Sequence, residues 1–138
     1  VGALTGITAV RPTANTQITN TPVLYGATIA AGVPVYLNTT DGEHYATDAN
    51  LSATAAGAKG ITITPGVDGG YGYLATGGSI ILVGTTMAVG TTYYCGPTAG
   101  EIIPSGDLAT GDIVTELGTA ATATQLDLLI KAKGIVHA

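Results

Sequence analysis

Asp112-Ile-Val-Thr-Glu-Leu-Gly-Thr-Ala-Ala-Thr-Ala-Thr-Gln-Leu-Asp-Leu-Leu-Ile-Lys-Ala132 decides the fold class. Ile113–Leu117 alternates apolar and polar residues, and Leu126–Ile130 does the same until Leu129 interrupts it. A period of two places alternate side chains on opposite faces of a strand, so Asp127 points away from Leu126 and Leu128. Between the two runs lie Gly118–Thr124, all small residues suited to a turn. The reading is two antiparallel strands joined by a short connection.

The same pattern extends upstream. Short β-branched runs punctuated by Gly, Pro, Asn and Asp predict strands at Leu4–Val10, Val23–Ile29, Val33–Asn38, Glu43–Thr47 and Gly60–Thr64. Others are predicted at Tyr71–Ala75, Ser79–Gly84, Thr91–Cys95 and Glu101–Ile103, before Asp112–Leu117 and Gln125–Ala132. Asp41-Gly42 between Val35–Leu37 and His44–Tyr45 is a hairpin signal. One short helix, about 48–57, is expected, capped by Asp48 or Asn50 and ended by Gly57. Strand starts mostly about 8–12 residues apart favour a small all-β barrel or sandwich over βαβ units. The Ile80–Val83 and Leu126–Ile130 strands are expected to carry the core.

Composition narrows the function. The chain has 138 residues, with only four Lys or Arg and nine Asp or Glu, a charged fraction of 9%. Ordinary soluble domains carry roughly 25%. A net charge of −5 leaves no basic surface to neutralise phosphates, which argues against nucleic-acid binding. Low charge and a mean hydropathy of +0.42 argue equally against disorder. The long charge-free stretches, residues 12–40 and 69–100, are broken by Pro and Gly, and a spanning helix needs about 20 apolar residues. No membrane partner is expected, and no basic-then-apolar leader opens the chain. Phe and Trp are absent, so Ile, Val, Leu and Ala must build the core. Tyr joins them wherever its hydroxyl finds a partner.

Catalytic motifs are weak. Cys95 is the only cysteine, and its expected state is a buried small hydrophobe. His44 and His137 lie far apart in sequence, and no zinc spacing is present. Asp41, Glu43 and Asp48 flank a hairpin tip without calcium-loop spacing, which reads better as a solvated turn. Ser52, Ser79 and Ser105 lie outside any nucleophile-elbow motif. The Gly66–Gly72 run lacks the Lys and Ser or Thr of a phosphate loop. No catalytic, metal or cofactor site is expected.

The opening residues differ. Arg11 through Pro22 is polar, with Pro12 and Pro22 unable to donate to a ladder. The segment reads as a frayed terminus or as an extended arm over 1–22, ahead of a single β-rich domain over 23–138. As an arm it would order against a neighbouring subunit, with Leu4, Ile7, Val10, Arg11 and Ile18 as its contact residues. Its removal is then expected to leave the β-domain folded. A surface so poor in charge resembles buried interfaces, where Lys, Glu and Asp are depleted. The chain therefore reads as a structural assembly protein.

Several strings carry a family resemblance. They include Ile29-Ala-Ala-Gly-Val-Pro-Val-Tyr-Leu37, Asp41-Gly-x-x-Tyr45-Ala-Thr-Asp-Ala49 and Lys59-Gly-Ile61. Further on come Gly77-Gly78, Met87-x-x-Gly-x-x-Tyr-Tyr94, Gly100-Glu-Ile-Ile-Pro104, Asp107-Leu-Ala-Thr-Gly-Asp112-x-Val114-x-x-Leu117-Gly-x-Ala120 and Leu126–Ile130. Together they resemble bacteriophage head decoration (capsid cement) proteins from about Ile29 onward. The resemblance implies a β-rich domain without enzymatic activity, made in the host bacterial cytoplasm. It also implies oligomers, commonly homotrimers, that bind the major capsid protein on the virion exterior and stabilise capsomer contacts. Phage tail, baseplate and fibre components share this composition and stand as the alternative. There, exposed tyrosines at Tyr71/Tyr73 or Tyr93/Tyr94 would supply a glycan-facing shelf.

Overall fold

The computed structural model describes residues 2–138 and is mostly antiparallel β. In chain order the strands are β1 (Ala9–Pro12), β2 (Gln17–Ile18), β3 (Val23–Leu24), β4 (Pro34–Asn38) and β5 (Glu43–Ala46). After the four-residue helix α1 (Ala53–Ala56) come β6 (Gly60–Thr62), β7 (Tyr71–Gly72), β8 (Leu74–Val83), β9 (Thr92–Cys95) and β10 (Ile102–Pro104). A 3-10 turn at Ser105–Asp107 precedes β11 (Ile113–Ala120) and β12 (Gln125–Val136). A ten-stranded sheet runs β10-β9-β11-β12-β8-β6-β4-β5, curls into a half-barrel, and takes β1 and β2 onto β8 as well. β3 and β7 form a separate pair. The all-β expectation with one short helix is what the chain adopts.

β8 organises the sheet. Ile80 stands opposite both Pro12 of β1 and Leu126 of β12, and Ala75 opposite both Ile18 of β2 and Ile61 of β6. One strand thus has neighbours on both edges along most of its length. The sequence predicts two strands here, Tyr71–Ala75 and Ser79–Gly84, and the paired glycines Gly77-Gly78 lie between them. In the structure they bend β8 instead of ending it. Gly78 has φ +73, and a Cβ there would run into the Asn15 carbonyl. Strands that pass from one sheet to another bend at such points.

Two apolar clusters flank this strand. The larger joins Val10, Ile61, Ile80, Leu82, Leu117 and Leu126 with others from β8–β12. The smaller contains Tyr25, Ile29, Val35 and Leu74. Adjacent residues serve different cores, Leu74 facing the smaller and Ala75 the larger, as strand alternation requires. Ile80, Leu82, Leu126 and Leu128 are buried, so both strands expected to carry the core do so. Fully burying such a side chain contributes about 1.5–3 kcal/mol. Tyr25 is completely enclosed, and its hydroxyl donates to the Thr64 carbonyl at 2.7 Å.

Local differences have physical causes. The helix begins at Ala53, five residues after its expected start, because Ser52 rather than Asp48 or Asn50 caps it, its Oγ accepting from Ala55 N at 3.1 Å. Asp48 is used one turn earlier, where its carboxylate accepts from Asn50 N at 3.2 Å. The predicted strand Val23–Ile29 shrinks to Val23–Leu24, since Tyr25 and Ile29 bond instead to the 66–70 loop. β12 runs past its expected end at Ala132 to Val136, held there by β11 alone. No helix among the described residues is long and apolar enough to cross a membrane.

Candidate interaction surfaces

The five residues proposed for contact with a shell or a neighbour are placed unequally. β1 pairs with β8 within the same chain, setting Val10 opposite Leu82, and Val10 is buried in the main core. Leu4 and Ile7 pack against that core, and Leu4 N donates to the Ile102 carbonyl at 2.9 Å. Arg11 is exposed opposite Ile81, and Ile18 is exposed opposite Ala75. From sequence, residues 1–22 are expected to be either frayed or held by a neighbour. Ala9–Pro12 and Gln17–Ile18 lie along β8, because they satisfy that strand's otherwise unpaired amides and carbonyls. Three of the five residues are thus committed to the protein's own core, leaving Arg11 and Ile18 on the surface.

The β4–β5 hairpin carries the densest polar cluster. Gly42 closes its turn at φ +74, donating its N–H to the Asn38 carbonyl at 2.8 Å. The Asp41 carboxylate accepts from Glu43 N at 2.9 Å and from the Tyr45 hydroxyl at 2.7 Å. Those bonds hold the Asp41 carboxyl below its usual range, the Tyr45 bond contributing most. Glu43 Oε2 lies 3.4 Å from the same hydroxyl. Loss of solvent, then the Asp41 and Asp68 charges, push the Glu43 carboxyl up. Accepting carboxylates push the Tyr45 phenol up as well. The Tyr36 ring lies beside that of Tyr45, with centroids 6.0 Å apart.

The remaining chemical side chains are held apart. Cys95 is fully buried, and burial pushes its thiol up to about 12, against the weaker opposing pull of the Thr47 hydroxyl. A thiol in that state is not a nucleophile. His44 is buried on β5, where its Nδ1–H donates to the Leu24 carbonyl at 3.3 Å. Asp112 is buried and accepts from Ala109 N at 2.9 Å, which fixes the turn into β11. Among the described residues no group of three His, Cys, Asp or Glu is placed to hold a metal ion. Surface recesses are shallow. One, of about 380 Å³, is walled by Thr28–Ala30 and Pro65–Val67.

Of the two tyrosine pairs, Tyr71 and Tyr73 are exposed, while Tyr93 is buried with its oxygen accepting from Ala88 N at 3.0 Å. The surface feature that sequence reading missed is the end of β12. From Leu129 to Val136 this strand has β11 on one side and no strand on the other among the described residues. Leu129, Ile135 and Val136 are each about 60% exposed: 60%, 59% and 63%. Its signal was the continuation Lys131-Ala-Lys-Gly-Ile-Val136, too irregular in alternation to be read as strand. Two register shifts against β11 account for that irregularity. No protein-family model matches the chain, and no curated protein or solved structure matches it significantly.

Proposed function

We propose that this protein is a structural virion component that binds the outside of an assembled phage capsid and stabilises contacts between capsomers. The observation that carries the reading is the surface. Ile18, Leu51, Val67, Val89, Leu129 and Val136 are all exposed in a chain whose charged fraction is 9%. Apolar area of this kind is stabilised by burial against other subunits. The family resemblance of residues 29 onward supports the same class. In this reading the partners are the major capsid protein and further copies of the chain, as a homotrimer, and no cofactor takes part. A protein that binds only the assembled shell draws the equilibrium away from disassembly by mass action.

The test is sedimentation with empty, expanded shells of the phage that encodes the chain. The protein is expected to pellet with shells at a saturating ratio and to raise the temperature at which they rupture. Protein left wholly in the supernatant would overturn the reading. A second reading, a tail, baseplate or fibre component touching the host surface, draws on the exposed pair Tyr71 and Tyr73. It predicts binding to host surface glycans that Tyr71→Ala abolishes, measured on a glycan array.

A further inference from the structure

The outer side of β12 combines three properties. It is an unpaired strand edge, it exposes large apolar side chains, and it holds Lys131 and Lys133, two of the chain's four cations. Unpaired edges template association unless something guards them. Lys133 meets Glu116 only at 3.7 Å, with its side chain 43% exposed, and a pair of that kind is worth little. Lys131 has no ion pair among the described residues.

These lysines disfavour two-fold registers centred on them. A two-fold contact would set β12 antiparallel to its own copy. Centred on Ala132, that register puts Lys131 opposite Lys133 of the second copy; centred on Lys133, it puts Lys133 opposite itself. Like charges directly opposite are destabilising. A complementary surface exists elsewhere on the same chain. At the far end of the sheet path, Asp41 and Glu43 crowd around one tyrosine hydroxyl on the β4–β5 hairpin. Within one chain neither lysine forms an ion pair with that hairpin.

We propose that copies of this chain associate head to tail, the outer side of β12 from Leu129 to Val136 on one copy packing against the Asp41–Glu43 end of the β4–β5 hairpin on the next. Such a contact is heterologous, so it closes into a ring when the rotation between copies permits. Leu129, Ile135 and Val136 supply the apolar area, and the opposed charges fix the orientation. The inference deepens the self-association in the reading above and rests on that part alone.

Sedimentation velocity over a concentration series tests it. The full chain is expected to associate, and K131E/K133E and D41K/E43K are each expected to weaken association roughly tenfold or more. The fourfold variant carrying all these reversals restores it, and an equimolar mixture of the two double variants restores association between unlike variants, because there a basic surface again meets an acidic one. Circular dichroism confirms that each variant is folded. Raising salt from about 0.05 M to about 0.5 M is expected to dissociate the full chain, since exposed charges are screened over that range. A full chain that stays monomeric at about 100 μM, well above ordinary micromolar affinities, overturns the proposal. So does association that ignores salt, that survives either reversal, or that neither the fourfold variant nor the mixture restores. Shell binding is measured separately. Failure to bind shells with these outcomes intact removes the capsid reading and leaves the interface; unchanged association of the variants beside normal shell binding does the reverse.

Discussion

His44 is buried where β5 meets the segment after β3, and its neutral ring donates to the Leu24 carbonyl. Burial, with a smaller push from Lys59, lowers its pKa below the ordinary value, against the raising effect of the Leu24 bond. The unfolded chain therefore binds the proton more readily than the folded one. The stability that follows is fully present above about pH 6.5 and is lost as pH falls towards the depressed folded value. Urea midpoints measured between pH 7.5 and 5 are expected to fall in the native protein and to fall less in His44→Gln. Equal slopes in both would assign the acid sensitivity to other groups. The sequence showed a histidine in a predicted strand, but not that the chain around Leu24 would close over it. The place of Gly78 inside β8 was hidden for a similar reason. Its role depends on Asn15, which lies 63 residues earlier in sequence.

At the scale of elements, β8 and β12 differ in how their two sides are used. Leu126 is fully buried between β8 and β11, whereas Leu129, three residues on, is 60% exposed. Leu126→Ala leaves a cavity in the main core and is expected to cost about 2–5 kcal/mol. Leu129→Ala is expected to change monomer stability by no more than about 0.5 kcal/mol. Denaturant titration of both variants at low protein concentration checks the contrast, and similar losses would contradict the placement of these two residues. Alternation foretold the Leu126 face, because Leu126 and Leu128 share it with the core. It did not foretell where β8 turns away from β12, since that depends on β6 claiming the other half of β8.

For the whole molecule, residues 2–20 matter more than their composition suggested. They line one edge of β8 and place Val10 in the core. A chain lacking residues 2–20 is therefore expected to melt at a lower temperature and to aggregate more readily, as a long strand edge becomes exposed. Differential scanning calorimetry with light scattering checks this. A truncated protein that melts unchanged and stays dispersed would mean that the arm contributes nothing to the fold. The sequence-based expectation was that the remaining domain would fold without the arm. The polar run Arg11–Pro22 suggested a free segment because its hydrogen-bonding partners, residues 74–83, lie so far along the chain.

The sequence by itself determined that this chain is a β protein, because periods of two and glycine turns are local properties that each segment carries alone. It also determined how sparse charge is along the chain, since composition is independent of folding. Only the tertiary structure decided which strands would be neighbours. It sent the N-terminal segment onto β8, buried Leu4, Ile7 and Val10 at least in part, and left the end of β12 open. Those outcomes depend on competition among distant strands for the same edges, and backbone hydrogen-bonding groups are alike in every residue but proline. Pairing is therefore settled by the packing of whole faces, which no single stretch of sequence contains.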